Sequence, residues 1–140
     1  MKKLNIKISQ INYDQTWPLR HKVMWPDKPL DYIKLENDES GLHYGLFVGG
    51  ELTSVVSLFI NDGIGQFRKF ATEEKEQGKG YGSRLLNFLF KEAQKQNLKE
   101  VWCNARVDKA PFYQKFGMQT TDKQFNKGGI NYVIMNRNIK

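Results

Sequence analysis

The sequence predicts an α/β (α+β) fold, a mixed central sheet of about six to seven strands flanked by helices on both faces. Three observations carry that expectation. Helix-like and strand-like segments alternate through the second half, which favours parallel pairing there. In the middle, two strand-like runs flank Gly49-Gly50, a two-residue turn signal that makes an antiparallel hairpin. The chain has 140 residues, 39% hydrophobic and 13% aromatic, enough to bury one core without disulfide or metal, so a single domain over residues 1–140 is expected.

Taken in order, "LNIKISQ" alternates Leu4, Ile6 and Ile8 with Asn5, Lys7 and Ser9, the period of a half-buried strand. "TWPLRHKVMW" reads as a helix: Thr16 can cap it, Pro18 suits its first turn, and Leu19, Val23 and Met24 form a short apolar face. "PDKPLDYIKLENDESG" is a turn-rich connection with two prolines and a cluster of carboxylates. The hairpin follows, then a strand over about residues 66–72. A helix runs from the glycine segment to about Gln96, with Leu85, Leu86, Leu89, Phe90 and Ala93 at helical spacing. "KEVWCNAR" is a strand, and "DKAPFYQKFG" is a short helix capped by Asp108 and stopped by Gly117. "MQTTDKQF" and "INYVIMNRNI" close the chain as strands, the last apolar on nearly both faces, as in a covered sheet.

Composition narrows the function classes. No apolar run approaches a membrane span, and the N-terminal stretch lacks the apolar core of a signal peptide. With one cysteine, Cys103, and no export signal, a cytoplasmic protein is expected. The net charge of +7 favours an anionic ligand, but the lysines are scattered with no basic block, so nucleic acid is not expected. Metal-ligand spacings are absent, so no metal is expected.

The chemistry centres on "EEKEQGKGYGSRLLNFLF", where Gly78, Gly80 and Gly82 fall at alternate positions before an apolar helix. A helix N-terminus leaves N–H groups unpaired and carries partial positive charge, and glycine keeps side chains out of a ligand's way. An anion, typically phosphate, is the natural guest. The spacing fits neither a P-loop nor a dinucleotide fingerprint, since there is no G-x-x-x-x-G-K-S/T and the pattern is G-x-G-x-G.

Gln77-Gly78-Lys79-Gly80-Tyr81-Gly82 instead resembles the Q/R-x-x-G-x-G/A motif of the GNAT N-acetyltransferase superfamily. The resemblance continues through "VWCNARVDKAPFYQKFGM", with Asn104, Phe112-Tyr113 and Phe116-Gly117-Met118, and covers about residues 45–139. It implies an acetyl-CoA-dependent N-acetyltransferase. The pyrophosphate of acetyl-CoA would rest on Gln77, Gly78, Lys79, Gly80, Tyr81 and Gly82, with Ser83 at the edge. The pantetheine arm would pair with a bulged strand at Phe70, Ala71 and Thr72. A backbone N–H near Ala71 would polarise the thioester carbonyl, Asn104 would touch the pantetheine, and Tyr113 would protonate the leaving thiolate. The acceptor, a small-molecule amine or a protein amine, would attack the thioester directly. Candidate bases are Glu73, Glu74, the Glu36/Asp38/Glu39 cluster and His43, although a lone histidine beside a hairpin is more often structural. Arg20 and Trp25 are candidates for reading the acceptor's charge, and Cys103 is expected to be a buried thiol. A homodimer is compatible with the resemblance. The alternatives are a non-catalytic acyl-CoA-binding module and, third, a nucleic-acid binder.

Overall fold

The computed structural model describes residues 5–139. Leu4, which opens the first predicted strand, lies outside them. In chain order the elements are β1 (Ile6–Ile11), α1 (Trp17–Met24), β2 (Leu42–Val48), β3 (Glu51–Asn61), β4 (Ile64–Thr72), α2 (Tyr81–Lys95), β5 (Glu100–Arg106), α3 (Ala110–Gln114), β6 (Gln119–Lys127) and β7 (Ile130–Asn138), with short 3-10 turns between. The strands form one seven-stranded mixed sheet in the order β1-β2-β3-β4-β5-β7-β6. The chain divides into two compact units, one holding residues up to Phe59 with Lys69–Leu89, the other Ile60–Arg68 and the residues from Phe90 on.

In the first unit β1 pairs antiparallel with β2, from Ile6↔Val48 to Ile11↔His43. β2 and β3 form the predicted hairpin, and Gly49 and Gly50 both take positive φ, 57° and 87°, as a tight hairpin turn with right-twisted strands requires. Ile11, Leu19, Val55 and Ala71 make a buried cluster against which Val23, Met24, Phe47 and Leu52 pack. The apolar face of α1 read from Leu19, Val23 and Met24 is therefore real, and it lies over Ala71, near the C-terminal end of β4. The stripe of α2 is equally direct: Leu85, Leu86 and Leu89 are fully buried. Thr16 stands at the head of α1, but its hydroxyl donates backward to the Tyr13 carbonyl at 2.7 Å and makes no cap.

In the second unit β4 pairs parallel with β5, from Ile64↔Glu100 to Gln66↔Trp102. Parallel pairing goes no further there: β5–β7 and β6–β7 are antiparallel. The reason is local. α3 leads into a hairpin turning at Gly128-Gly129, both at positive φ, and the returning strand β7 is the one that lies beside β5. The last strand is less covered than its sequence suggests; Val133 and Met135 are buried, while Ile130, Tyr132 and Ile134 are half-buried. Asp108 does not cap α3. It sits within a 3-10 turn, Val107–Lys109, and Lys109 occupies the cap position. Gly117 does end the helix segment, with φ of 81° and its N–H donating to the Gln114 carbonyl at 3.0 Å.

Candidate active site

The three glycines turn out to serve two different needs. Gly78 and Gly80 take φ of 83° and 86°, a backbone that L side chains rarely adopt. A Cβ added at either would meet nothing within 4 Å, so the space over this turn is open. Gly82 has ordinary helical geometry, but its added Cβ would come 3.0 Å from Phe70 Cζ and 3.3 Å from Thr72 Oγ1. That close approach sets the mouth of α2 against the last residues of β4. The first helical bond is Arg84 N–H to the Gly80 carbonyl, 3.1 Å. The N–H groups of Tyr81, Gly82 and Ser83 thus have no carbonyl one turn back within the helix. An open turn leading into the first-turn N–H groups at the positive end of a 15-residue helix fits a phosphate group.

Side chains hold the turn to β4. Gln77 Nε2 donates to the Thr72 carbonyl at 3.0 Å, and buried Ser54 of β3 bonds the Ala71 carbonyl at 3.2 Å and Thr72 Oγ1 at 2.8 Å. Lys79 is exposed and paired with Glu76 at 2.8 Å, its ammonium held charged by that carboxylate. Within β4, Lys69 takes a left-handed φ of 56°, the backbone of a bulge. The two faces of the strand end then diverge in what they meet. Phe70 and Thr72 face the start of α2, whereas Ala71 lies in the cluster beneath α1.

Glu73 follows directly. Its N–H donates to the Thr53 carbonyl at 2.8 Å, fixing its backbone to β3. Its carboxylate is four-fifths covered, at 20% exposure, and lies 2.9 Å from the Lys22 ammonium of α1. Of the other candidate bases, Glu74, Glu36 and Glu39 are exposed.

Asp38 was a candidate base and Arg20 a candidate sensor of the acceptor's charge, and the structure overturns both readings. Both are buried against each other. Arg20 donates to Asp38 at 2.9 and 3.0 Å and to Ser57 Oγ at 2.8 Å. Asp38 also accepts from Trp17 Nε1 at 3.1 Å and from the Leu35 N–H at 2.9 Å. Burial alone would raise its carboxyl; these donors outweigh that and hold it below the usual carboxylate range. His43 completes the cluster, with Nδ1 2.7 Å from Ser57 Oγ and Nε2 2.7 Å from the Asp38 carbonyl. A carbonyl only accepts, so Nε2 carries the proton and Nδ1 accepts from Ser57. Burial and the Arg20 charge lower its affinity for a second proton, against the opposing pull of the Asp38 carbonyl and carboxylate. His43 is structural. Nothing in the sequence pairs residues 20, 38, 43 and 57; the one available signal was an arginine set among Leu19, Val23 and Met24 on a short helix. Trp25 packs edge-to-face on Tyr32, 5.3 Å between centroids.

In the second unit, Asn104 is an exposed residue of β5 opposite Ile134. Tyr113 stands on α3 against Phe67 and Phe112, with centroids 5.8 and 5.2 Å away. Burial pushes its phenol well above the usual tyrosine range; Cys103 adds to this and Arg106 opposes it. The phenol therefore keeps its proton at neutral pH. Cys103 is buried, and burial pushes its thiol up to about 12, so it is a packed thiol with little thiolate character. Among the described residues no group of three His, Cys, Asp or Glu side chains gathers as a metal site, and no helix is long and apolar enough to cross a membrane.

Comparison with known proteins agrees with this geometry. The family model for the acetyltransferase (GNAT) domain matches residues 11–139. The uncharacterized N-acetyltransferase YitI of Bacillus subtilis (strain 168) is 26% identical, the match covering 96% of this chain and 97% of that protein. Among solved structures, Escherichia coli ElaA superposes with a TM-score of 0.81 at 17% identity, over 95% of this chain and 99% of that one. A Bacillus subtilis acetyltransferase in complex with CoA superposes with a TM-score of 0.73 at 22% identity, over 97% and 99%. The fold is the GNAT fold, and the chain belongs to the acetyltransferase (GNAT) domain family, the acetyl-CoA-using N-acetyltransferases.

Proposed function

We propose that the protein binds acetyl-CoA on the glycine turn and moves its acetyl group to a primary amine. The observation that carries this is the open turn at Gly78 and Gly80, closed onto β4 by Gly82 and followed by Tyr81, Gly82 and Ser83, whose N–H groups precede the first helical bond, Arg84 to Gly80. In this reading Gln77, Gly78, Lys79, Gly80, Tyr81, Gly82 and Ser83 hold the pyrophosphate, mostly through backbone, and Phe70, Ala71 and Thr72 line the pantetheine arm. The left-handed Lys69 supports that assignment, because the irregular backbone it marks lies directly before Phe70, Ala71 and Thr72. A Bacillus subtilis relative solved with CoA supports the cofactor class.

Acetyl-CoA supplies an activated acyl thioester. The chain supplies the rest. A backbone N–H near Ala71 stabilises negative charge on the thioester oxygen. Asn104 contacts the pantetheine. Tyr113, kept protonated by burial, donates to the leaving thiolate. Glu73 is the base, because it is fixed by its backbone to β3, sits one residue beyond the strand end and is largely shielded from water. Ala71 lies on the α1 side of β4, and the Lys22 contact puts Glu73 there too. Phe70 and Thr72 lie on the α2 side. The acceptor therefore approaches Glu73 from the α1 side of the strand, opposite the pyrophosphate. No covalent nucleophile is needed, and Cys103 is not one. The buried cysteine accords with a reducing, cytoplasmic setting.

The test is a panel of amines, both small molecules and peptides, incubated with acetyl-CoA and read by free thiol. Amine-dependent thiol release that needs Glu73 and Tyr113 supports the reading. A protein that binds acetyl-CoA yet shows no thiol release dependent on any amine of the panel would instead be a binding module.

A further inference from the structure

Among the described residues, the ion pair between Lys22 and Glu73 stands apart from the other exposed pairs. Lys34–Asp31, Lys79–Glu76 and Lys95–Glu92 each join neighbours three residues apart on the chain. Lys22 reaches from α1 to a residue 51 positions away, at 2.9 Å. Its own side chain is 65% exposed, so it is free to swing, whereas Glu73 is fixed and four-fifths covered. An exposed pair of this kind contributes little stability. What it does is hold a primary alkylammonium on the carboxylate one residue beyond β4. That is the place an acceptor amine must take before it meets a thioester bound along Phe70, Ala71 and Thr72.

We propose that Lys22 is a self-acetylation site: its Nζ is an internal acceptor, deprotonated by Glu73 and acetylated from acetyl-CoA bound to the same molecule. This rests on the acetyl-CoA reading above. In the step, the ammonium gives one proton to the Glu73 carboxylate. The neutral Nζ forms an N–C bond to the acetyl carbonyl carbon and loses its second proton. The C–S bond breaks, and CoA leaves as thiolate, which takes up a proton to become the thiol. The products are Nζ-acetyl-Lys22, CoA thiol and one net proton released to solvent. Acetylation removes the charge that pairs with Glu73, so the carboxylate is released for an external amine. Holding the amine beside the thioester makes the reaction effectively unimolecular, which is what would single out Lys22 among the chain's many surface lysines.

The experiment is acetylation of the purified full-length protein by acetyl-CoA, with the acetyl gain at each lysine followed over time by mass spectrometry. Acetyl-CoA binding is measured by calorimetry on the same preparation. Lys22 is expected to gain its acetyl group at least about ten-fold faster than Lys95, an ion-paired control, and Lys115, an exposed one. Its rate should be independent of protein concentration. Excess unacetylated CoA, and separately the substitution Gly80→Glu, should bring Lys22 down to the control rate. Glu73→Gln should slow it by about ten-fold or more while leaving Lys95 unchanged. Competition by CoA needs no variant, so the test survives if a substitution unfolds the protein. Lys22 acetylating no faster than Lys95 in protein that binds acetyl-CoA overturns the self-acetylation and leaves the cofactor reading standing. A fast Lys22 that ignores excess CoA is chemical reactivity alone and also overturns it. Absence of acetyl-CoA binding removes both.

Discussion

The Arg20 guanidinium lies across both oxygens of Asp38, at 2.9 and 3.0 Å, and neither side chain reaches solvent. α1 is thereby tied to the turn at Asp38–Ser40 and, through Ser57, to β3. Removing one partner of a buried pair strands the other charge, at a cost of about 3–5 kcal/mol. Arg20→Leu is therefore expected to lower the unfolding free energy by that amount, measured by urea denaturation. A change under 1 kcal/mol would mean the pair is solvated in solution.

The same cluster sets the acid response. His43 and Asp38 both bind protons less readily folded than unfolded. Each therefore contributes stability that is present above its unfolded value and lost as pH falls. The His43 share starts to go below its ordinary value of 6.5, and the Asp38 share below 3.8. The urea midpoint should hold steady above neutrality and decline in two stages, and His43→Gln should remove the upper one. A midpoint that rises on acidification would contradict the buried neutral imidazole.

How far the sequence foretells the molecule depends on the range of the interaction. Local signals were legible: the Gly49-Gly50 hairpin, the Leu85, Leu86, Leu89 stripe and the stop at Gly117 need only neighbours along the chain. The glycine turn was legible too, though sequence alone did not separate the conformational demand at Gly78 and Gly80 from the packing demand at Gly82. Long-range pairings were not. Arg20 with Asp38, Lys22 with Glu73, and β7 beside β5 each join segments that nothing local links. Capping failed at Thr16 and Asp108 for a related reason: a preceding 3-10 turn had already taken up the geometry.

In the proposed mechanism Tyr113 is the acid and acts on the leaving group as the C–S bond breaks. Tyr113→Phe should cut kcat by about a hundred-fold while leaving the Kd for acetyl-CoA within about two-fold. Loss of binding in place of turnover would make the tyrosine a packing residue for Phe67 and Phe112.

Cys103 gives a simple check on the second unit. With its thiol pushed up to about 12, it should resist a thiol reagent in the native protein and react fully in denaturant. Rapid native labelling would show that β5 opens.

The central claim is that the glycine turn binds the cofactor, and calorimetric titration of acetyl-CoA into wild type and Gly80→Glu tests it most directly. The substitution puts a carboxylate into the open space over the turn and strains a backbone at φ 86°. Micromolar binding by wild type, lost in a variant with an unchanged circular dichroism spectrum, is the predicted result. Equal binding by both proteins, or none by folded wild type, would contradict it.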